Sequence, residues 1–254
     1  MKRTQVGYTC RIMQGDLGDY RPPHDLKLSV VIPAYNEART LAETVRRVRA
    51  VPLRTEIIVV DDGSTDATPE ILRGLAGDDL IVLRHERNQG KGAALRNGFQ
   101  RASGAIVIIQ DADLEYDPRE YVRLIGPIVE GAADVVYGSR FVSSSPHRVL
   151  YYWHRVANSI VTTLSNICTG LNLTDVETCY KVFRREVLAA IGPALRERGF
   201  GIDPELTAKV TRGKYRVYEI GISYFGRTYE EGKKITFRDA LRVVWCIFRY
   251  WMRD

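Results

Sequence analysis

The chain has 254 residues, 45% of them apolar, which is enough for one large α/β domain or two small ones around a sizeable core. Its formal net charge of +6 suits phosphate-rich ligands or anionic lipid, and no basic run with interleaved aromatics marks it for nucleic acid. Cys10, Cys168, Cys179 and Cys246 form no CxxC pair and no zinc spacing, so reduced thiols in a cytoplasmic protein are expected, with no secretory h-region and no membrane-spanning window.

Residues 1–26 read as an irregular polar extension ending in RPPHD. Five apolar runs follow: 28–33, 55–60, 80–85, 105–110 and 134–139. Continuous apolar runs bounded by turns suit strands buried on both faces. Helical periods separate them at 40–50, 67–75, 92–102 and 117–129, the last opened by Asp117-Pro118, a cap followed by proline at the first helical position. This alternation predicts a mostly parallel sheet with right-handed crossovers, and in such sheets ligands bind beyond the carboxyl ends of the strands. Farther on, 149–171 predicts a long, largely apolar helix, Asp203-Pro204 starts a short one, 216–225 is a late strand, and 235–254 is an amphipathic helix.

The unusual chemistry stands just past the strands. After 105–110 comes DADLEYD, where Asp111 and Asp113 are spaced to face one cation and Glu115 lies two farther on. Hard oxygen ligands of this kind suit Mg²⁺ or Mn²⁺; alone, the same residues would also serve as a solvated acidic turn. The second strand ends in Asp61-Asp62-Gly63-Ser64, carboxylates that can accept from a base or ribose or cap the next helix. The first ends in Pro33-Ala34-Tyr35-Asn36-Glu37, offering a flat face at Tyr35 and an acceptor at Glu37. After the third strand, Gly90-Lys91-Gly92 lets backbone approach a ligand beside a positive charge. It is neither a P-loop nor a dinucleotide fingerprint, since Leu95 stands where the latter needs a small residue.

Taken in order, VIPAYNE, VVDDGSTDAT, NQGKGAALRNGF, IIQDADLEYDP, DVVYGSRF and TDVETCYKVFRREVL resemble family 2 glycosyltransferases of GT-A fold, over roughly residues 28–236. The nearest-looking members are polyprenyl-phosphate and dolichyl-phosphate sugar synthases and their soluble cousins. The resemblance implies a domain at 27–226, followed by a basic loop and amphipathic helix at 227–254. It also implies that Pro33, Tyr35, Glu37 and Asp62, with Asp61 beside it, hold the base of a nucleoside diphosphate sugar. Lys91 would lie near the nucleotide, Asp111 and Asp113 would hold the diphosphate through the metal with Glu115 as third ligand, and Arg140 would face donor phosphates or acceptor. The family inverts the anomeric carbon in one displacement. Divalent charge with Arg or Lys nearby would stabilise the leaving nucleotide.

On the acceptor side, relatives read D-x-T-S-G-F-R where this chain has Asp175 to Lys181, with Glu177 as an added carboxylate. A phosphate acceptor needs no base and a hydroxyl acceptor does, so Glu177, and secondarily Glu205, are candidate bases. Arg227, Lys233 and Lys234 are placed to close over the donor. The expected acceptor is a polyprenyl phosphate, with a glycan hydroxyl as the alternative. Sugar-nucleotide synthesis is disfavoured because Pro33–Glu37 stands where a glycine-rich loop belongs, and a non-catalytic sugar-nucleotide binder is disfavoured by intact Asp111, Asp113 and Arg140. The tail places Leu241, Val244, Trp245, Phe248 and Trp251 on one face flanked by arginines, suited to peripheral contact with the inner membrane face or to a second copy of the chain.

Overall fold

The computed structural model describes residues 22–23, 25–75, 77–142, 148–149, 151–227 and 237–253. Nearly all of the expected N-terminal extension, and Lys233 and Lys234, lie outside the described residues. The elements run β1 (Lys27–Ala34), α1 (Leu41–Arg49), β2 (Arg54–Asp61), α2 (Thr68–Gly74), β3 (Leu80–Arg84), α3 (Lys91–Arg101), β4 (Ile106–Ile109), α4 (Tyr121–Val129) and β5 (Val135–Ser139). Then come α5 (Tyr152–Thr169), β6 (Lys181–Arg184), α6 (Arg185–Ile191), α7 (Ile202–Arg212), β7 (Val217–Gly221) and α8 (Phe237–Arg253).

All seven strands form one sheet in the order β3-β2-β1-β4-β6-β5-β7. The parallel β1–β2 register sets Ala34 beside Asp61, so the carboxyl ends of these strands open on one edge of the sheet. β4 is wholly buried, as its uninterrupted IVII run requires. Helix α3 packs so closely on β1 that a Cβ on Gly98 would lie 2.3 Å from Val31 Cγ1, which excludes any side chain there. At the start of α4, Asp117 accepts from the Arg119 N–H at 3.0 Å, and Pro118–Glu120 form a 3₁₀ turn before the helix proper.

One expectation is corrected and one is made more specific. β3 is an edge strand with Val82 43% exposed, not a strand buried on both faces. The sheet is mostly parallel as expected, and among the described residues its one antiparallel strand is β6, which enters between β4 and β5 and pairs Ile108 and Val136 across Val182. Its four residues run straight into α6, so no turn residue announces it.

The expected C-terminal helix forms, but it is apolar on more than one side. Val243, Cys246, Ile247 and Tyr250 are buried, while Leu241, Trp245, Phe248, Trp251 and Met252 are exposed. Among the described residues no helix is long and apolar enough to cross a membrane.

Candidate active site

The loops at the carboxyl edge bring most of the expected residues together. Lys91 opens α3, and its Nζ lies 2.8 Å from Asp111 Oδ1. The lysine sits there because Gly90 adopts φ 97° and presses against the 197–199 loop, where a Cβ would lie 2.4 Å from the Arg198 carbonyl oxygen. Burial would lower the Lys91 pKa, but Asp111 more than reverses this and holds the ammonium charged.

The DAD turn is held from behind. Asp111 N–H donates to the Cys179 sulfur at 3.1 Å, the Ala112 carbonyl accepts from Thr44 at 3.1 Å, and buried Gln110 is gripped by the Tyr121 and Tyr180 hydroxyls. Leu114 takes a left-handed φ of 64°, which turns the chain so that Asp113 Oδ1 accepts from the Glu115 N–H at 3.2 Å. The carboxylates of Asp113 and Glu115 are bound by one guanidinium: Arg227 reaches Asp113 Oδ2 at 2.8 Å, Glu115 Oε1 at 3.4 Å and Glu37 Oε2 at 3.7 Å. Tyr224 donates to the other Glu115 oxygen at 2.9 Å.

Four carboxylates, those of Glu37, Asp111, Asp113 and Glu115, thus face two cations, Lys91 and Arg227. Burial and the neighbouring Asp111 and Glu115 push Asp113 up to about 7, and Arg227 offsets this only in part. Among the described residues these carboxylates outnumber the cations paired with them. Among the described residues no three His, Cys, Asp or Glu side chains close into a metal cage. The donors fit instead an octahedral ion of Mg²⁺ type, which takes one or two carboxylates and leaves positions open for phosphate oxygens.

The two adjacent carboxylates of the second strand part company. Asp62 accepts from the Gln89 N–H at 2.9 Å and the Gly90 N–H at 2.7 Å, and lies 2.6 Å from His85 Nδ1. It is the anchor of the glycine loop. Asp61 accepts from the Ser64 N–H at 2.9 Å, and its Oδ2 is buried with no hydrogen-bond partner among the described residues; exposed Arg84 approaches it at 3.3 Å. Where Asp62 has three partners, Asp61 thus carries one hydrogen bond and one ion pair among the described residues. Beside it, Arg84, Arg87, Gln89 and Arg198 line a cavity of roughly 670 Å³. Pro33 and Tyr35 are half-buried at the end of β1. Glu37 accepts from Thr40 Oγ1 at 2.9 Å and belongs to the Arg227 cluster.

Farther from the nucleotide edge, Arg140 is held bidentate by Asp175 at 2.6 and 2.7 Å and donates to Asn158 of α5 at 3.1 Å. Lys181, fully buried in β6, donates to the Thr178 carbonyl and pairs with Asp203 at the start of α7. Burial, with Asp203 and Asp175 nearby, pushes Glu177 up to about 8 against the pull of Lys181 and Arg140. Glu205 is different from what the sequence suggested for a base. Both its oxygens accept backbone N–H groups, of Arg196 and Glu197 at 2.8 Å, and it is fully buried. It shapes the 196–197 loop. That loop is also tied to the C-terminal helix, since Glu197 accepts from Arg242 at 3.0 Å and Tyr250 at 2.9 Å.

Sequence reasoning gave no site role to Asp175, Cys179, Lys181 or Asp203, whose contacts the structure reveals. Asp175 and Lys181 stood inside a quoted motif; Asp203 read only as a helix cap.

The family model for "Glycosyl transferase family 2" matches residues 29–192, well over half of the chain. The chain belongs to glycosyltransferase family 2. It is 32% identical over 205 residues to the polyprenol monophosphomannose synthase of Mycolicibacterium smegmatis, covering 78% of this chain and 77% of that one. It is 34% identical over 218 residues to the undecaprenyl-phosphate 4-deoxy-4-formamido-L-arabinose transferase of Pseudomonas aeruginosa, covering 83% of this chain but only 61% of that relative. Among solved structures, the glucosyl-3-phosphoglycerate synthase of Mycobacterium tuberculosis with Mn²⁺, UDP and phosphoglyceric acid superposes with TM-score 0.70 at 19% identity, covering 99% of this chain and 85% of that one. The same synthase with Mg²⁺ and UDP gives TM-score 0.66 at 21% identity, covering 97% and 84%. The fold of this glycosyltransferase is accordingly of GT-A type.

Proposed function

We propose that this glycosyltransferase moves a sugar from a nucleoside diphosphate to a polyprenyl phosphate, inverting the anomeric carbon, with Mg²⁺ or Mn²⁺ held at the DAD turn. The observation that carries the donor side is the gathering of four carboxylates there, paired among the described residues with Lys91 and Arg227. Asp111, Asp113 and Glu115 would hold the cation, which when bound supplies positive charge to the diphosphate leaving group. Asp61, whose Oδ2 has no hydrogen-bond partner among the described residues and lies 3.3 Å from Arg84, accepts an N–H of the base. Lys91 and Arg227 then face the diphosphate oxygens as charge develops on them.

The displacement breaks the bond from the anomeric carbon to the diphosphate oxygen and forms one to an acceptor oxygen on the opposite face. An acceptor phosphate is already an anion, so no proton need move. Arg140, pre-set by Asp175 and Asn158, holds that end. Both curated relatives are named for polyprenyl acceptors. A lipid acceptor also accounts for the exposed apolar surface. All three tryptophans of the chain, Trp153, Trp245 and Trp251, lie on the adjacent helices α5 and α8 and are 74%, 49% and 54% exposed. Exposed aromatics beside Arg155 and Arg249 suit an anionic membrane interface. A hydroxyl acceptor is the second reading, with Glu177 as its candidate base once the proton that burial holds on it has left.

The test is a screen of UDP-, GDP- and dTDP-sugars with polyprenyl phosphate or free sugar as acceptor, with and without chelator. Metal-dependent nucleotide release with the lipid phosphate alone is the expected result. Release that chelator leaves untouched overturns the metal, and transfer only to the free sugar overturns the lipid acceptor.

A further inference from the structure

The family match ends at residue 192, yet a loop beyond it is built into the donor end of the cleft. Residues 196–199 sit among three helices. From α7, Glu205 holds the Arg196 and Glu197 N–H groups at 2.8 Å each. From α3, Arg96 donates to the Glu197 carbonyl at 3.2 Å, and the Ala93 N–H donates to the Arg198 carbonyl at 3.1 Å. The same two carbonyl groups press on the glycines either side of Lys91. A Cβ on Gly92 would lie 2.5 Å from the Glu197 carbonyl oxygen, and one on Gly90 would meet that of Arg198 as closely. At this packing, a shift of the 197–198 peptide displaces the backbone of Lys91.

From α8 the hold is of another kind. Glu197 is 4% exposed, and its two oxygens accept from Arg242 at 3.0 Å and from the Tyr250 hydroxyl at 2.9 Å. Positions 242, 246 and 250 fall on one face of the helix, and the Cys246 thiol is a further donor to the carboxylate. Burial would raise the Glu197 pKa; Arg242, Tyr250 and Cys246 more than reverse this and keep the group charged. Attachment of α8 does not require such a group, because Val243 and Ile247 already join the main core. A buried ion pair adds little stability over apolar packing, and its better attested use is to fix register. Here it fixes the loop that touches the glycines.

We propose that Glu197 is a positioning residue for Lys91. The C-terminal helix grips its carboxylate, and the carbonyl groups of 197 and 198 carry that setting to the glycine loop, so that the lysine ammonium stands where the donor diphosphate meets it. The assignment rests on the sugar-nucleotide reading of the cleft. It makes donor affinity depend on residues outside the family match.

The experiment is a double-mutant cycle on the full chain: wild type, E197A, K91A and the double variant. Calorimetry with UDP, GDP and dTDP in the presence of Mn²⁺ reads binding, and circular dichroism checks folding. The metal still holds the diphosphate in K91A, so binding there stays measurable. E197A is expected to weaken the best-bound nucleotide on the order of fivefold where Lys91 is present and less than about twofold where it is not, since a residue acting through Lys91 has nothing to set once the lysine is gone. Y250F deletes one bond to the carboxylate and keeps the Arg242 pair. It is expected to show the same pattern at about twofold, and it carries the test if E197A does not fold. Equal losses with and without Lys91 make Glu197 a structural residue only and overturn the assignment. Unchanged nucleotide binding in the folded variants does the same. If the wild type binds none of the three nucleotides, the donor reading falls first and takes the assignment with it.

Discussion

The two ends of the cleft are built differently. At the nucleotide end, the strand ends carry carboxylates already tied into place: Asp62 to two N–H groups, Asp111 to Lys91, Asp113 and Glu115 to Arg227. At the acceptor end, half-buried Glu177 and buried Thr178 each have one oxygen with no hydrogen-bond partner among the described residues, and the neighbouring helices α5 and α8 leave Trp153, Trp245 and Trp251 in the open. A preformed donor site beside an unfinished acceptor site is what an enzyme shows when the nucleotide is met as a defined small molecule and the rest of the site is completed by its substrates. Four measurements bear on this contrast.

The largest effect is expected at Asp113. Asp113→Asn removes a charge from a cluster that only a cation completes, so transfer is expected to fall by about 10²–10³-fold. The fold stays intact, because Asp113 is itself crowded by Asp111 and Glu115. Steady-state transfer together with thermal melting reads both; wild-type activity in the folded variant would remove Asp113 from the metal site.

The two neighbouring aspartates should separate next. Asp61→Ala is expected to weaken calorimetric binding of the nucleoside diphosphate on the order of tenfold and to cost less stability than Asp62→Ala, since it strands one N–H, that of Ser64, where Asp62 holds two. Asp62→Ala should do the reverse first. It strands the buried N–H groups of the glycine loop and costs about 1–3 kcal/mol in urea unfolding. Equal behaviour of the two variants would dissolve the distinction.

Glu177 should show in the pH dependence of stability. Its pKa is about 8 folded against 4.5 as the ordinary value, so the native state holds a proton that the unfolded state has released between those limits. Stability from this group therefore falls as pH rises from about 4.5 to about 8 and levels off above. Glu177→Gln removes that component, so the wild type should lose stability relative to the variant across the window. Parallel urea curves at both ends would show that Glu177 is not held protonated.

The smallest effect concerns the open face. Trp245→Ser and Trp251→Ser together are expected to lower flotation with anionic vesicles several-fold at low salt, with the soluble activity retained. A wild type that stays with the buffer and forms a dimer through these tryptophans would assign the face to a second copy.

What the sequence revealed follows the same divide. A parallel strand ends where ligands bind, so the position of Asp111, Asp113 and Lys91 after apolar runs was enough to gather them. Adjacent residues along an extended chain point to opposite faces, and only coordinates could show that Asp62, rather than Asp61, is the one bound to the glycine loop. At the acceptor end the pairs are made across elements. Lys181 meets Asp203 from a four-residue antiparallel strand with no flanking turn, and Glu205, similar in pattern to a base, spends both oxygens on its own loop. Nothing in local spacing distinguishes those outcomes.

One linkage has a practical weight. Glu197 is clasped by Arg242 and Tyr250, and the carbonyl groups at 197 and 198 lean on Gly92 and Gly90, the glycines that aim Lys91. The C-terminal helix is thus a strut whose far end rests on the phosphate loop. Cutting the chain before residue 237 would take the strut away, leave a covered carboxylate without its cation, and loosen the lysine that Asp111 needs. A truncated protein with poor donor binding would then report a fallen prop, and single tryptophan replacements on the outer side of α8 are the way to question the surface without disturbing what it supports.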